Sequence, residues 1–158
     1  MGRVMAQWAR ERPDLDVSPQ AVIGRLHRLA ATLYAELDVV YAEFGLKDGE
    51  FDVLATLRRA GEPYELTTSR LGTTTMISSG AVTKRVDRLC RAGLVTRRSN
   101  ELDGRGRLVA LTPDGLALID GAFEAHIANE HRLVDLLDPG ERHQLATLLE
   151  TWGRRLGD

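Results

Sequence analysis

Hydrophobic positions recur at three- and four-residue spacing over most of the chain, the period of a helix with one apolar face. In residues 18–44 the stripe is Val22, Ile23, Leu26, Leu29, Ala30, Leu33, Leu37 and Val40. Ser18 and Pro19 are suited to cap and start that helix, and Gly45 to stop it. Residues 46–60 carry Phe51, Leu54, Ala55 and Leu57 on one side and run into Gly61-Glu62-Pro63, which predicts a second helix and its end. From 66 to 75 the threonines and Gly72 oppose helix, so only a short turn anchored by Leu66 and Leu71 is expected. Ser78, Ser79 and Gly80 then cap a helix with the stripe Val82, Val86, Leu89 and Cys90, stopped by Gly93. The short β-prone runs 94–98 and 107–111 flank the polar SNELDGRG and predict a hairpin with a long basic tip. Thr112-Pro113-Asp114 opens a helix reaching about Leu137. Asp138-Pro139-Gly140-Glu141 opens the last one, with Leu145, Leu148, Leu149, Trp152 and Leu156.

Helix, turn, helix and hairpin in that order make a winged helix-turn-helix, so the fold class is mainly α with a small β-hairpin wing. The expected organisation is a single domain over 1–158. Residues 1–44 and 113–158 form leader and dimerisation helices, and 46–112 the winged helix-turn-helix. The terminal helices are more apolar than so small a domain can hide, and a two-fold homodimer that interleaves them is the economical solution. Composition narrows the function. A chain of 158 residues has no room for a second catalytic domain, and 43% hydrophobic with only 5% aromatic residues implies an aliphatic, helical core. One cysteine excludes an internal disulfide, no apolar run approaches the roughly 18 residues of a membrane span, and the leader is too charged for a signal peptide. A cytoplasmic protein with no membrane partner is expected.

The formal net charge of -2 conceals an uneven distribution. Residues 77–112 hold eight basic residues against three acidic ones, leaving the remainder strongly acidic. A basic island on an acidic scaffold suits a module that reads double-stranded DNA. On the helical wheel of 77–92, Gly80, Lys84, Arg88 and Arg91 lie opposite the apolar stripe. Ser78, Ser79 and Thr83 at the entering end can bond phosphates or base edges, Lys84 can reach phosphate or guanine, and Arg88 and Arg91 suit the backbone.

The hairpin reads DGRGRLVALTPDG, in which Asp103, Arg105, Val109, Leu111 and Thr112 fit D-x-R-x-x-x-V-x-L-T without a gap. This resembles the wing signature of the MarR family of bacterial transcription regulators, and the likeness extends upstream through SSGAVTKRVDRLCRAGLVTR. The resemblance implies an obligate homodimer that binds pseudopalindromic DNA and releases it on binding a small ligand, with Asp103 and Arg105 in the wing. Many members carry Asp-Arg-Arg at the tip, whereas this chain has Asp103-Gly104-Arg105; Arg107 is placed to compensate.

A narrower likeness joins four separated residues. QWARERPDLD followed by VIGRLHRLA is similar to the N-terminal extension of the urate-responsive branch of that family, whose ligand residues correspond to Trp8, Asp52, Arg85 and Arg97. The implied ligand is a small anion: urate, a related purine, or the tricarboxylates to which some relatives respond. Read from the residues alone, Arg85 lies on the flank of the apolar stripe, roughly 80° from its centre on a 100° wheel, and wants an anion. Either the Asp52 carboxylate or a ligand would serve, and Arg97 has the same two readings. Trp8 fits either a lid over a ligand or an apolar staple for the leader.

Other chemistry is thinly represented. Cys90, on the core stripe, reads as a small apolar residue rather than as a peroxide-sensing thiolate. His27, His126, His131 and His143 form no H-E-x-x-H, and neither a nucleophile elbow nor a phosphate loop occurs, so neither enzyme, metal site nor cofactor is expected. The competing class is a helical dimerisation or adaptor module whose winged helix binds protein, which the acidic ends and the weak helicity of 66–75 keep open. A steep salt dependence of duplex binding would separate the two.

Overall fold

The computed structural model describes residues 2–75, 79–99 and 107–157. Among these residues seven helices and three short strands follow one another as α1 (Gly2–Glu11), α2 (Gln20–Glu43), α3 (Asp48–Arg59), β1 (Glu65–Thr67), α4 (Thr68–Thr74), α5 (Ser79–Arg91), β2 (Val95–Ser99), β3 (Arg107–Leu111), α6 (Pro113–Val134) and α7 (Pro139–Leu156). The chain divides into two compact units, Met1–Val39 and Val40–Asp158. No described helix is long and apolar enough to cross a membrane.

The first unit holds α1 and most of α2. Val4 and Trp8, one turn apart on α1, are both exposed, as are Val22, Ile23, Leu29, Leu33 and Tyr34 on α2. Ser18 does not serve as expected. Its hydroxyl and amide both donate to the Asp16 carboxylate, at 3.0 and 2.9 Å, and α2 begins at Gln20. An aspartate two residues away outcompetes the helix end for the hydroxyl.

The second unit contains the core. Val53, Leu54 and Leu57 of α3 are fully buried with Leu71 of α4, Val82, Val86 and Leu89 of α5, Val109 of β3 and Ile119 of α6. Gly45 leaves α2 at φ +68° and Gly93 leaves α5 at φ +74°, the left-handed geometry that a glycine adopts without steric cost. Tyr41 at the end of α2 stacks on Phe51 of α3 at 4.3 Å between centroids, and His126 of α6 lies 4.9 Å from the same ring.

Residues 65–75 depart from expectation. Glu65–Thr67 is a third strand, which makes an antiparallel sheet of order β1-β3-β2 with Leu66 opposite Val109. A seven-residue helix follows where a single turn was expected. Thr67 caps it by accepting the Arg70 amide at 3.2 Å. The hydroxyls of Thr73 and Thr74 donate to the Arg70 carbonyl, and that of Thr75 to the Leu71 carbonyl. Threonines that disfavour a helix in isolation thus complete this one's last turn, while buried Leu71 pins it to the core.

Beyond the hairpin, the Thr112 hydroxyl accepts the Gly115 amide at 2.9 Å and donates to the Gly93 carbonyl at 2.8 Å, so one side chain ties α5, the wing and α6. Gly115 lies against the Leu94 carbonyl, with no room for a Cβ. α6 stops at Val134, three residues before the expected end. Asp138 and Glu141 form the capping box of α7, each accepting the other's backbone amide at 2.9 Å. Along α7, Leu145, Leu148, Leu149 and Leu156 stay exposed.

Candidate nucleic-acid interface and ligand site

α5 presents two faces because its apolar residues fall at 82, 86 and 89. Val82, Val86 and Leu89 are buried, whereas Gly80, Thr83, Lys84, Arg88 and Arg91 are exposed. Arg91 Nε donates to the Asp87 carbonyl at 3.3 Å, which folds this side chain back along its own helix. Ser79 begins α5, and Arg107, exposed, begins β3. Ser78, Asp103 and Arg105 lie outside the described residues. Cys90 is half-buried on the flank of the stripe.

Arg88 is engaged from behind. Its Nε donates to Glu50 Oε1 at 2.5 Å, and Glu50, in the first turn of α3, is buried. Glu50 Oε2 accepts the Lys47 amide at 2.9 Å, completing one half of a capping box; the Lys47 ammonium has no lone pair to offer for the other half. The wing is held in the same manner. Arg97 Nη1 meets Asp87 of α5 at 2.7 Å, and Arg98 Nη2 lies 2.9 Å from both Glu65 carboxylate oxygens, reaching β1 across β3.

Of the four residues singled out for a ligand, Asp52 and Arg85 lie within electrostatic reach of each other. The Arg85 guanidinium lies over Gly49 in the first turn of α3, where a Cβ would occupy its place. Its Nη1 is buried and, among the described residues, has no hydrogen-bond partner. The internal ion pair with Asp52 does not form: among the described residues Arg85 joins no salt bridge. A cation at the positive end of a helix, with an unmet donor, is electrostatically unsatisfied. Asp52 is half-buried, and burial, with the Asp48 carboxylate as the second cause, pushes its pKa above the ordinary carboxylate value. Arg85, Arg59 and His126 only partly offset this. Arg97 is occupied by Asp87. Trp8, in the first unit, is 47% exposed.

Sequence reasoning passed over Glu50, Asp87 and Gly49. Glu50 left one signal, its place three residues after the cap position Lys47 of α3. Its tie to Arg88 spans 38 residues and no local pattern announces it.

The sequence pattern of the MarR family matches residues 44–106, from the end of α2 into the wing. The HTH-type transcriptional regulator PecS of Dickeya dadantii is 40% identical over 146 residues, which span 92% of this chain and 88% of PecS. The chain belongs to the MarR family. Among solved structures, AbsC, a MarR family transcriptional regulator from Streptomyces coelicolor, superposes with a TM-score of 0.80 at 27% identity, over 90% of this chain and 96% of AbsC. A MarR variant from E. coli complexed with operator DNA superposes with a TM-score of 0.73 at 26% identity, over 87% of this chain and 98% of that one. The protein is a DNA-binding transcriptional regulator of the winged helix-turn-helix class, and the wing signature on 103–112 pointed to the same family. The order α4, α5 and then the paired strands β2 and β3 is that of a helix-turn-helix followed by a wing.

Proposed function

We propose that this MarR family protein is a cytoplasmic, homodimeric repressor that leaves a pseudopalindromic operator when a small planar anion, urate or a related purine, binds at Asp52 and Arg85. This reading rests on the buried Nη1 of Arg85, which has no hydrogen-bond partner among the described residues, within electrostatic reach of a carboxylate that burial disfavours. An anion with ring N–H groups satisfies both at once. It supplies acceptors to the guanidinium and donors to Asp52. Arg97 joins as the second cationic fork once it exchanges Asp87 for the ligand, and the family resemblance alone adds Trp8 as the candidate for a flat face.

DNA contacts are assigned to Ser78, which precedes α5 in sequence, to Ser79, Thr83, Lys84, Arg88 and Arg91 on α5, and to Asp103, Arg105 and Arg107 of the wing signature. Because Arg85 belongs to α5 and Arg97 to β2, a ligand that draws on both acts directly on the elements that read DNA. Release requires the ligand to prefer the DNA-incompetent state, and a coupling of about 1–3 kcal/mol changes operator affinity roughly 5–150-fold. The homodimer is supported by the exposed leucines of α7 and, separately, by the exposed apolar positions of α2, faces for which a second copy of the chain is the natural cover.

The test titrates urate, xanthine and citrate against the protein while Trp fluorescence is followed in wild type, Trp8→Phe, Arg85→Ala and Arg97→Ala. Urate or xanthine binding below millimolar concentration that weakens in all three variants supports the purine site. Citrate binding alone would make the ligand a tricarboxylate. If no anion binds, or if the variants bind as wild type does, the quartet is structural.

A further inference from the structure

Arg88 sits on the exposed face of α5, yet its Nε is committed to a carboxylate behind the helix. Glu50 is only 7% exposed, and its two oxygens face different elements: Oε1 the Arg88 guanidinium at 2.5 Å, Oε2 the Lys47 amide at 2.9 Å. A buried carboxylate is costly unless both oxygens are satisfied, and here each has its donor. The apolar stripe of α5 fixes which face turns inward. Aliphatic contacts are non-directional, however, and leave rotation about the helix axis and sliding along it less sharply defined. A short charge-assisted bond to the first turn of α3 is directional, and it anchors α5 near its C-terminal end.

We propose that Glu50 is a positioning residue for DNA recognition: through Arg88 it holds α5 in the orientation that places Thr83 and Lys84 against base edges. The operator is then distinguished from other DNA partly by a carboxylate that touches no nucleotide. Glu50 acts on base readout, because helix orientation matters most where bidentate geometry is needed. General attraction to phosphate tolerates small rotations. This assignment rests on DNA binding alone and is independent of the anion site.

The experiment is a double-mutant cycle on the full-length protein with Glu50→Gln, Arg88→Ala and both together. Glutamine keeps an oxygen for the Lys47 amide while removing the charge, so α3 retains its cap. Affinity is measured by fluorescence anisotropy over a salt series, for an operator selected from random duplexes by wild type and for a scrambled duplex of equal length. Melting curves ensure that every variant is assayed folded. Glu50→Gln is expected to lower the operator-to-scrambled preference by about threefold or more and Arg88→Ala by about tenfold or more, with the double variant within about twofold of Arg88→Ala, because the two act as one unit. The salt slope stays at the wild-type value in Glu50→Gln, whereas Arg88→Ala lowers it by about one through the backbone contact assigned to Arg88. The proposal is overturned if Glu50→Gln matches wild type or if the two losses multiply. It is equally overturned if Glu50→Gln weakens both duplexes alike, the signature of a general loss of attraction to phosphate rather than of base readout.

Discussion

Asp87→Ala tests whether the wing arginine must be released before it can serve a ligand. In the structure Arg97 Nη1 is 2.7 Å from Asp87 Oδ1, with the arginine side chain 29% exposed and the aspartate 43%. Two unit charges near 4 Å attract by about 4 kcal/mol at an effective dielectric of 20, but only about 1 kcal/mol in water. Measured exposed pairs contribute about 0.2–1 kcal/mol after side-chain entropy and screening. With Asp87 this open, about 0.5–1 kcal/mol is the reasonable figure. If the anion has to displace Asp87 to recruit Arg97, removing the carboxylate abolishes that cost. Asp87→Ala should then bind urate about two- to fivefold more tightly than wild type, the fold-change equivalent to that energy. The gain must vanish in an Arg97→Ala background, where no guanidinium remains to be freed. Isothermal titration of the four proteins of the cycle measures both numbers. Unchanged or weakened binding in Asp87→Ala, or the same gain without Arg97, would refute the exchange.

Asp52→Asn has a signed pH dependence. Burial and Asp48 raise the Asp52 pKa in the folded chain, so its favourable contribution to stability is complete below the ordinary value of 3.8 and is lost as pH rises through the raised value. At pH 7 the variant should therefore melt higher than wild type, by about 1–3 °C, and the advantage should disappear below pH 4; a lower melting point at pH 7 would contradict the assignment. Leu148→Glu places a charge on the exposed leucine face of α7 and should dissociate the proposed dimer, since burying an unpaired charge costs several kcal/mol; sedimentation equilibrium showing a dimer in both proteins would place the interface elsewhere. Gly115→Ala drives a methyl group into the Leu94 carbonyl, a backbone atom that cannot rotate away, and should cost about 1–3 kcal/mol in denaturant titration. A loss below about 0.5 kcal/mol would mean that the α6 junction yields readily.

The readable parts of this fold were those set by local chemistry. Thr112 with Pro113, Asp138 with Glu141, and the glycines at 45 and 93 each bound a helix within a few residues of where the structure has it. The readings that failed involve competition. Ser18 had a neighbouring carboxylate to bond, and the threonines of α4 found acceptors on their own helix. β1 exists only because β3 returns to pair with it more than forty residues later, which no window of local sequence contains. The same holds at the candidate site. The basic face of α5 was legible from a 3.6-residue period, but the partners of its arginines were not, since Glu50 and Asp87 are identified as partners only by tertiary placement. Arg85 was narrowed to two options, a carboxylate or a ligand, and the structure leaves its Nη1 unmet.

Arg85 is the proposed link between an anion and DNA. The most direct measurement is footprinting on the DNA flanking the protein's own gene, with rising urate, for wild type and Arg85→Ala. Wild type should protect two half-sites about 10 bp apart on one face of the duplex and lose them as urate rises, whereas Arg85→Ala should keep its footprint at every urate concentration. A wild-type footprint indifferent to urate and to related purines, or an Arg85→Ala footprint that dissolves at the same urate concentration as wild type, would contradict it.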